Sequence, residues 1–378
     1  MKYEVKENQL FWLLITVMPA SKCLSLPSLL VKYAWQDSWL AILGLFLIDY
    51  LFFVAMAVAV LRNRGRLPLQ RVLEKSLMKI GAKIAFLFLA SFFGLRLIGL
   101  ILDFMELFHT TLTISTNWLA FALPVLAFSL FTANKGARTI ARLCEILAIP
   151  VLCAGWIMVL LSLDETDFSR LLPMFQYPAG VLRAMYHHTS WFGDSVFLLF
   201  FLDRIKPGKR FLAKVSLGYW VSVVCVLAVC VTYFGLYGNT AWMHRSIIAK
   251  VSQFNVTVTT NGRWDWLCLL VWMASLLIKS ALFSFCMVQS LQALLGTGRA
   301  KTPVSYAVVL AFVLTLPLCT GVESFLNKTA STSKLFYVVQ YLLPLASPFL
   351  VQWQNNACPK ALWLRKRRLG GAYEKPVS

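Results

Sequence analysis

Ten apolar stretches, each about as long as a bilayer-spanning helix, limit what this chain can fold into. They lie at about 9–32, 38–61, 80–108, 117–134, 138–163, 180–203, 211–237, 265–294, 303–323 and 335–357. A helix needs about 20 apolar residues to cross the hydrocarbon core. With 59% hydrophobic and 14% charged residues, the chain is too apolar for a water-soluble domain. The sequence predicts an all-α integral membrane protein with ten transmembrane helices.

The basic residues predict the orientation in the membrane. Of 36 Lys and Arg residues, 25 fall on one side of the predicted helices and eight on the other. Loops rich in Lys and Arg stay in the cytoplasm, so both termini are expected there. The net charge of +20 is then a topology signal, and we expect no nucleic-acid partner. We predict one transmembrane domain at 1–358, with halves at 9–163 and 180–357, and a basic cytoplasmic tail at 359–378.

The three remaining basic residues, Lys22, Arg96 and Lys279, lie inside predicted helices, and Asp49 and Asp194 lie at similar depth. A charge at the bilayer centre costs at least ~2.5–3.5 kcal/mol. Residues of this kind usually face a polar cavity. These five residues are therefore candidates for a binding pocket or for ion coupling.

Two predicted helices are interrupted near their middle. Helix 1 carries Pro19 and Pro27 around small and polar residues, and helix 6 carries "HHTSWFGD" at 187–194. Proline removes a backbone donor and disrupts a helix. Interruptions at spans 1 and 6 fit an inverted five-plus-five repeat, in which paired broken helices form a binding site. The free amide and carbonyl groups at such ends suit a zwitterion such as an amino acid.

The candidate ligand-binding residues lie at these two interruptions: Ala20, Ser21, Lys22, Cys23, Ser25, Ser190, Trp191, Gly193 and Asp194. His187 and His188 are further candidates for the pocket or for coupling, and a simple interface position is the alternative for both. A plain proline kink is the alternative for helix 1. No P-loop, GxSxG, HExxH or GxGxxG motif occurs, and the nine cysteines lack metal-binding spacing. We therefore expect no enzyme activity, no cofactor and no metal.

Several short motifs, in order along the chain, resemble one family. They are "NQLFWLLI" with Leu26-Pro27, "WQDSWLAIL" at 35–43, Gly136 with "ARLCEILAIP", "FGD" at 192–194, and "GRWDWLCLLVWMASLLIKSALF" at 262–283. Together they resemble the spore germinant-receptor B-subunit family of the GerAB type, within the amino acid–polyamine–organocation superfamily. The resemblance implies ten helices in a LeuT-like fold. It also implies sensing of a small nutrient, an amino acid in our interpretation, at the inner spore membrane beside A and C subunits.

Two residues depart from the family pattern. Lys22 stands where the family usually has glycine or serine, and Asp194 replaces the usual glutamate. Lys22 could meet a ligand carboxylate, pair with Asp194 or Asp49, or act as a resident ammonium in place of a bound cation. Two other functions stay open: a proton-coupled amino-acid permease with Asp194, Lys22 or a histidine as proton carrier, and a scaffold that has lost its ligand site.

Overall fold

The computed structural model describes residues 5–63, 67–112, 117–244, 246–254, 264–296, 301–320 and 337–357. Within these ranges the chain is mainly helical, and its one β-type pairing is an isolated bridge between Val5 and Ile205. The tail predicted at 359–378 lies outside the described residues, as do the end of the predicted span 303–323 and the start of 335–357.

Twelve α-helices are numbered here in chain order over the described residues. They are α1 Glu7–Lys22, α2 Leu26–Ala34, α3 Ser38–Asn63, α4 Leu69–Leu112, α5 Trp118–Asn134, α6 Ala137–Leu161, α7 Pro178–His188, α8 Phe211–Tyr237, α9 Ile247–Phe254, α10 Trp264–Leu295, α11 Lys301–Thr320 and α12 Leu343–Ala357. Short 3-10 helices at Thr189–Trp191 and Asp194–Phe201 follow α7, and a π-helix at Val338–Leu342 precedes α12.

Five helical stretches of the described chain are long and apolar enough to cross a membrane. These are Leu26–Asn63, Leu69–Thr111, Ala137–Leu161, Phe211–Met243 and Cys268–Leu295. Trp118–Asn134 and Thr302–Leu318 are apolar but shorter. The protein is therefore an integral membrane protein, and the count of ten spans stays a prediction.

The first apolar stretch folds as two helices. Pro19 lies inside α1 without ending it, and α1 stops at Lys22. A short turn leads to α2, which has Pro27 in its first turn, where the missing N–H of proline loses no helical hydrogen bond. The sixth stretch changes direction at Gly193, whose φ of +88° is a conformation that glycine adopts without steric penalty.

The helices α1 and α10 form the centre of the molecule. Every residue of α1 from Leu13 to Lys22 is buried, and α1 packs against α8, α6 and α10, while α10 also packs against α4 and α5. Leu51, Ile80 and Ile146 on the outer helices are exposed apolar side chains, as expected for a surface that faces lipid. Polar residues such as Lys22 at the end of α1 and Lys279 within α10 are therefore buried between helices.

One predicted connection carries more structure than its polar sequence indicates. The stretch 238–264 contains a 3-10 helix at Gly238–Met243 and then α9. The Ile247 amide of α9 donates to the Leu24 carbonyl at 2.8 Å. This segment therefore reaches the turn between α1 and α2.

Candidate functional site

A carboxylate shared by two lysines lies where the two interrupted stretches meet. Asp194 Oδ2 is 2.9 Å from Lys22 Nζ and 2.7 Å from Lys279 Nζ. The side chains are almost fully buried, with 0%, 1% and 2% exposed for Lys22, Lys279 and Asp194. Of the alternatives for Lys22 that the sequence left open, the structure therefore has the pair with Asp194.

A third cation and a hydroxyl complete this group. Lys279 Nζ also donates to Ser21 Oγ at 2.6 Å. Arg96 Nη1 lies 3.9 Å from the second oxygen of Asp194, and its Nη2 donates to the Phe192 carbonyl. We call Lys22, Arg96, Asp194 and Lys279 the charge cluster. It ties together α1, α4, α10 and the start of the 3-10 helix at Asp194–Phe201.

The position of each cluster residue follows from its helix. Lys22 is the last residue of α1, and Asp194 directly follows the left-handed Gly193. Arg96 and Lys279 project from the interior of the long helices α4 and α10. Charges deep in a membrane protein are tolerated when they pair with one another, and the helix ends bring Lys22 and Asp194 within reach of the other two.

Asp49 belongs to a neighbouring hydrogen-bond network and makes no salt bridge among the described residues. Its Oδ1 accepts from the Gly193 amide at 2.9 Å, and its Oδ2 lies 2.9 Å from the Tyr219 hydroxyl. The Ser195 hydroxyl is 3.5 Å from Oδ1. Asp49 therefore fixes the backbone directly before Asp194. Tyr219 was not predicted from the sequence, because nothing distinguishes it from the other tyrosines in apolar segments.

Backbone groups at both interruptions already have partners within the protein. The Ala20 carbonyl accepts from Trp272 Nε1 at 2.9 Å, and the Leu24 carbonyl accepts from α9. The Phe192 carbonyl and the Gly193 amide are bound by Arg96 and Asp49. A ligand at this site would therefore meet side chains of the charge cluster, or would replace one of these contacts.

Three other predicted residues lie at the edges of this region. Ser25 donates to Asp103 Oδ1 on α4 at 3.2 Å, so it joins α4 and not the charge cluster. Cys23 is buried and has a free thiol. Ser190 and Trp191 form the 3-10 turn after α7 and are half-buried.

The two histidines pack against an aromatic ring and not against the charge cluster. The His187 ring stacks on Tyr33 with centroids 5.2 Å apart and an interplanar angle of 18°. His188 lies 5.7 Å from the same ring. It is buried, and its Nε2 has no hydrogen-bond partner within the described part of the chain. These contacts join α7 to α2, so a role for either histidine in coupling stays a prediction.

A wide-open aromatic cavity of about 270 Å³ at the protein surface adjoins the second interruption. It is lined by Ile48, Phe52, Tyr186, Thr189, Tyr337 and Tyr341. Gln340 Nε2 donates to the Thr189 carbonyl at 2.8 Å and lies 3.0 Å from the Tyr341 hydroxyl. The cavity is therefore connected by hydrogen bonds to the turn that carries Asp194, and its wall suits an apolar group.

Gly193 leads to the first prediction. A Cβ added there would lie 2.5 Å from Gln340 Cγ, in a left-handed conformation. We expect Gly193→Ala to lower the free energy of unfolding by at least about 1–3 kcal/mol from backbone strain alone, measured as a lower Tm in detergent. Gly99→Ala is the matched control, because a Cβ there meets nothing within 4 Å and alanine favours a helix interior. Equal melting temperatures for the two variants would contradict the prediction.

Comparison with known proteins gives a family and a fold. Residues 4–320 match the family model described as "Spore germination protein". No curated protein sequence matches the chain significantly.

Two solved structures are similar over most of the chain. A Na⁺-coupled sialic acid symporter, in a substrate-bound outward-open state, is 12% identical with a TM-score of 0.62, and the match covers 93% of this chain and 78% of that one. A manganese transporter of Eremococcus coleocola is 13% identical with a TM-score of 0.55, and the match covers 91% of this chain and 76% of that one. At this identity the likeness shows the fold alone, and it confirms the all-α, LeuT-like fold class.

Proposed function

Because the chain belongs to the family of spore germination proteins, we propose that it is the membrane subunit of a nutrient-germinant receptor. In this proposal it resides in the inner spore membrane with both termini in the cytoplasm, beside A and C subunits. The observation that carries the proposal is the charge cluster. Four ionised side chains at membrane depth are expensive, and a site that must respond to a polar ligand gives a reason to keep them.

We infer that a small nutrient binds beside the charge cluster, between the end of α1 and the turn before Asp194. An approaching polar group would compete for Lys22, Lys279 or Arg96 and would change how α1 is held against α10. Such a ligand favours one arrangement of the helices, and the partner subunits receive this as a shift in populations. The sequence predicts an amino acid, and the three cations support its carboxylate end.

A thermal-stability screen tests this proposal. Nutrients are added to the purified protein in pairs, each an amino acid and the α-hydroxy acid with the same carbon skeleton. A ligand at about 100 times its Kd stabilises the folded state by about 2.7 kcal/mol, so at least one compound is expected to raise Tm.

Matched lysine variants connect the screen to the site. We expect Lys22→Met to lose this rise and to abolish or redirect the germination response of spores, while the protein still inserts. Lys32→Met replaces an exposed lysine of α2. This variant should keep both the rise in Tm and the germination response. An unchanged dose–response curve for Lys22→Met would remove Lys22 from the site, and a screen without any stabilising nutrient would argue against the receptor proposal.

A proton-coupled permease is the second candidate, and one observation favours it. Two ammonium groups on a single carboxylate oxygen form a route by which a proton could be exchanged. Proteoliposomes holding this chain alone, with an imposed pH gradient, separate the two functions. Accumulation of a labelled nutrient that stops when the gradient is dissipated would favour the permease. A nutrient that stabilises the protein without being accumulated would favour the receptor.

A further inference from the structure

Lys22 lies in surroundings that would suit a ligand amine. Its ammonium is 2.9 Å from Asp194 Oδ2, 5.1 Å from the centre of the Phe192 ring and 5.8 Å from that of Phe46. A carboxylate together with aromatic faces is a common way for proteins to bind an ammonium group. Lys22 is also fully buried, so its ammonium is enclosed as a bound ligand's would be.

Asp194 does not depend on Lys22 for a counter-ion. Lys279 donates to the same oxygen at 2.7 Å, and Arg96 lies 3.9 Å from the other one. Asp49 on α3 is occupied by the Gly193 amide and Tyr219, and Asp103 on α4 by Ser25. The Lys22 ammonium therefore occupies the position beside Asp194 although it is not needed to neutralise that carboxylate.

We propose that Asp194, Phe46 and Phe192 form an ammonium-binding subsite, and that Lys22 is its built-in occupant. This rests on the proposed function, and it narrows the nutrient to a small carboxylic or hydroxy compound without an amino group. Such a ligand offers hydrogen-bond acceptors to Lys22, Lys279 and Arg96. The ammonium group of an amino-acid ligand could not bind, because Lys22 already occupies the subsite. The sequence predicts an amino acid as the ligand. We retain the carboxylate of that ligand but not its amino group.

Chemical rescue tests the subsite directly. Lys22→Ala removes Cγ, Cδ, Cε and Nζ, which together have the skeleton of n-propylammonium. We expect n-propylammonium chloride to raise the Tm of Lys22→Ala in a saturable way, by roughly 2–3 °C at ten to a hundred times its Kd. Ethylammonium should act more weakly and hexylammonium should not act. Sodium chloride at the same concentration is the control for ionic strength.

Two other proteins complete the experiment. Lys22→Met keeps the side chain except for its charged terminal atom, so it leaves no room for n-propylammonium. The wild type keeps its own ammonium in place. Neither is expected to respond to n-propylammonium. No rise in Lys22→Ala, or the same rise in all three proteins, would overturn the proposal.

The test holds even if Lys22→Ala is unstable. In that case n-propylammonium is added during solubilisation, and it should increase the monodisperse fraction of the variant above that obtained with sodium chloride. Equal fractions would overturn the proposal as well. The result is also distinct from the nutrient screen: a failed screen with a successful rescue removes the receptor function and leaves the subsite.

The paired compounds of the nutrient screen give an independent readout of ligand class. Because the ammonium subsite of the wild type is already occupied, we expect the α-hydroxy acid of a stabilising pair to raise its Tm more than the amino acid does. A consistent preference for the amino acid would overturn the ligand class assigned here.

Discussion

Asp194→Asn is expected to cause the largest loss of stability among the single substitutions considered. The amide cannot neutralise Lys22, Lys279 and Arg96, which all lie within 4 Å of the carboxylate in the wild type. Removing one partner of a buried ion pair costs about 3–5 kcal/mol, because an uncompensated charge stays buried. We expect a large drop in the monodisperse fraction after extraction and in the Tm of what remains, both measured by fluorescence-detected size exclusion with heating.

Compensating substitutions show whether uncompensated positive charge causes the loss of stability in Asp194→Asn. The triple variant Lys22→Met, Asp194→Asn, Lys279→Met removes two of the three cations together with the carboxylate, and should recover most of the lost stability. Asp167→Asn is the control, because Asp167 is 50% exposed and caps a short 3-10 helix. Asparagine caps a helix about as well as aspartate does, so this variant should lose little stability. The account would be contradicted if Asp194→Asn had the same Tm as the Asp167→Asn control. It would also be contradicted if the triple variant had no higher Tm than Asp194→Asn.

Asp49→Leu is expected to be strongly destabilising, whereas Asp49→Asn should be mild. Leucine has the same branched skeleton, with two larger methyl groups in place of the oxygens, and cannot accept from the Gly193 amide, which is held in a left-handed conformation and cannot turn elsewhere. An unsatisfied buried donor costs about 1–3 kcal/mol. Asparagine keeps an acceptor for that amide, and its NH₂ can donate to Tyr219 while the tyrosine donates to the Phe46 carbonyl, 3.0 Å away.

The comparison of leucine and asparagine separates hydrogen bonding from charge at Asp49. Both variants remove the carboxylate, so equal losses of Tm would mean that its charge holds the turn before Asp194. A loss confined to leucine would mean that the hydrogen bond to Gly193 does so. Tyr219→Phe adds a check, since it should change the Tm of the wild type more than that of Asp49→Leu, in which the partner is already missing.

The sequence could predict which charged residues lie deep in the protein but not which of them pair. Depth along an apolar stretch is enough to single out Lys22, Arg96, Asp194 and Lys279, because a charge there needs a special environment. The pairing depends on how each helix is rotated about its axis, which is set by packing between helices. That is why Asp49, at a similar depth, binds a backbone amide and a tyrosine while Asp194 takes the cations.

Several partners in the site were not among the residues predicted from the sequence. Tyr219, Trp272 and Gln340 lie in apolar stretches, and the first two have one polar atom on a large apolar side chain. Only Trp272 stood within a motif of the family resemblance, and its contact with the Ala20 carbonyl gives a physical reason for a tryptophan there. Helix ends were also missed, because α1 continues past Pro19 and stops at Lys22, a position that no local rule predicts.

The pairing of Lys22 with a residue 172 positions later has a consequence for biosynthesis. At 5–20 residues per second, the ribosome needs roughly 10–35 s to translate from one partner to the other. During this interval the first helix carries an ammonium group with no counter-ion, and its flexible stem lets the charge reach toward the lipid headgroups. We therefore expect the first helix to reach its final depth late, after the second half of the nascent chain has entered the membrane.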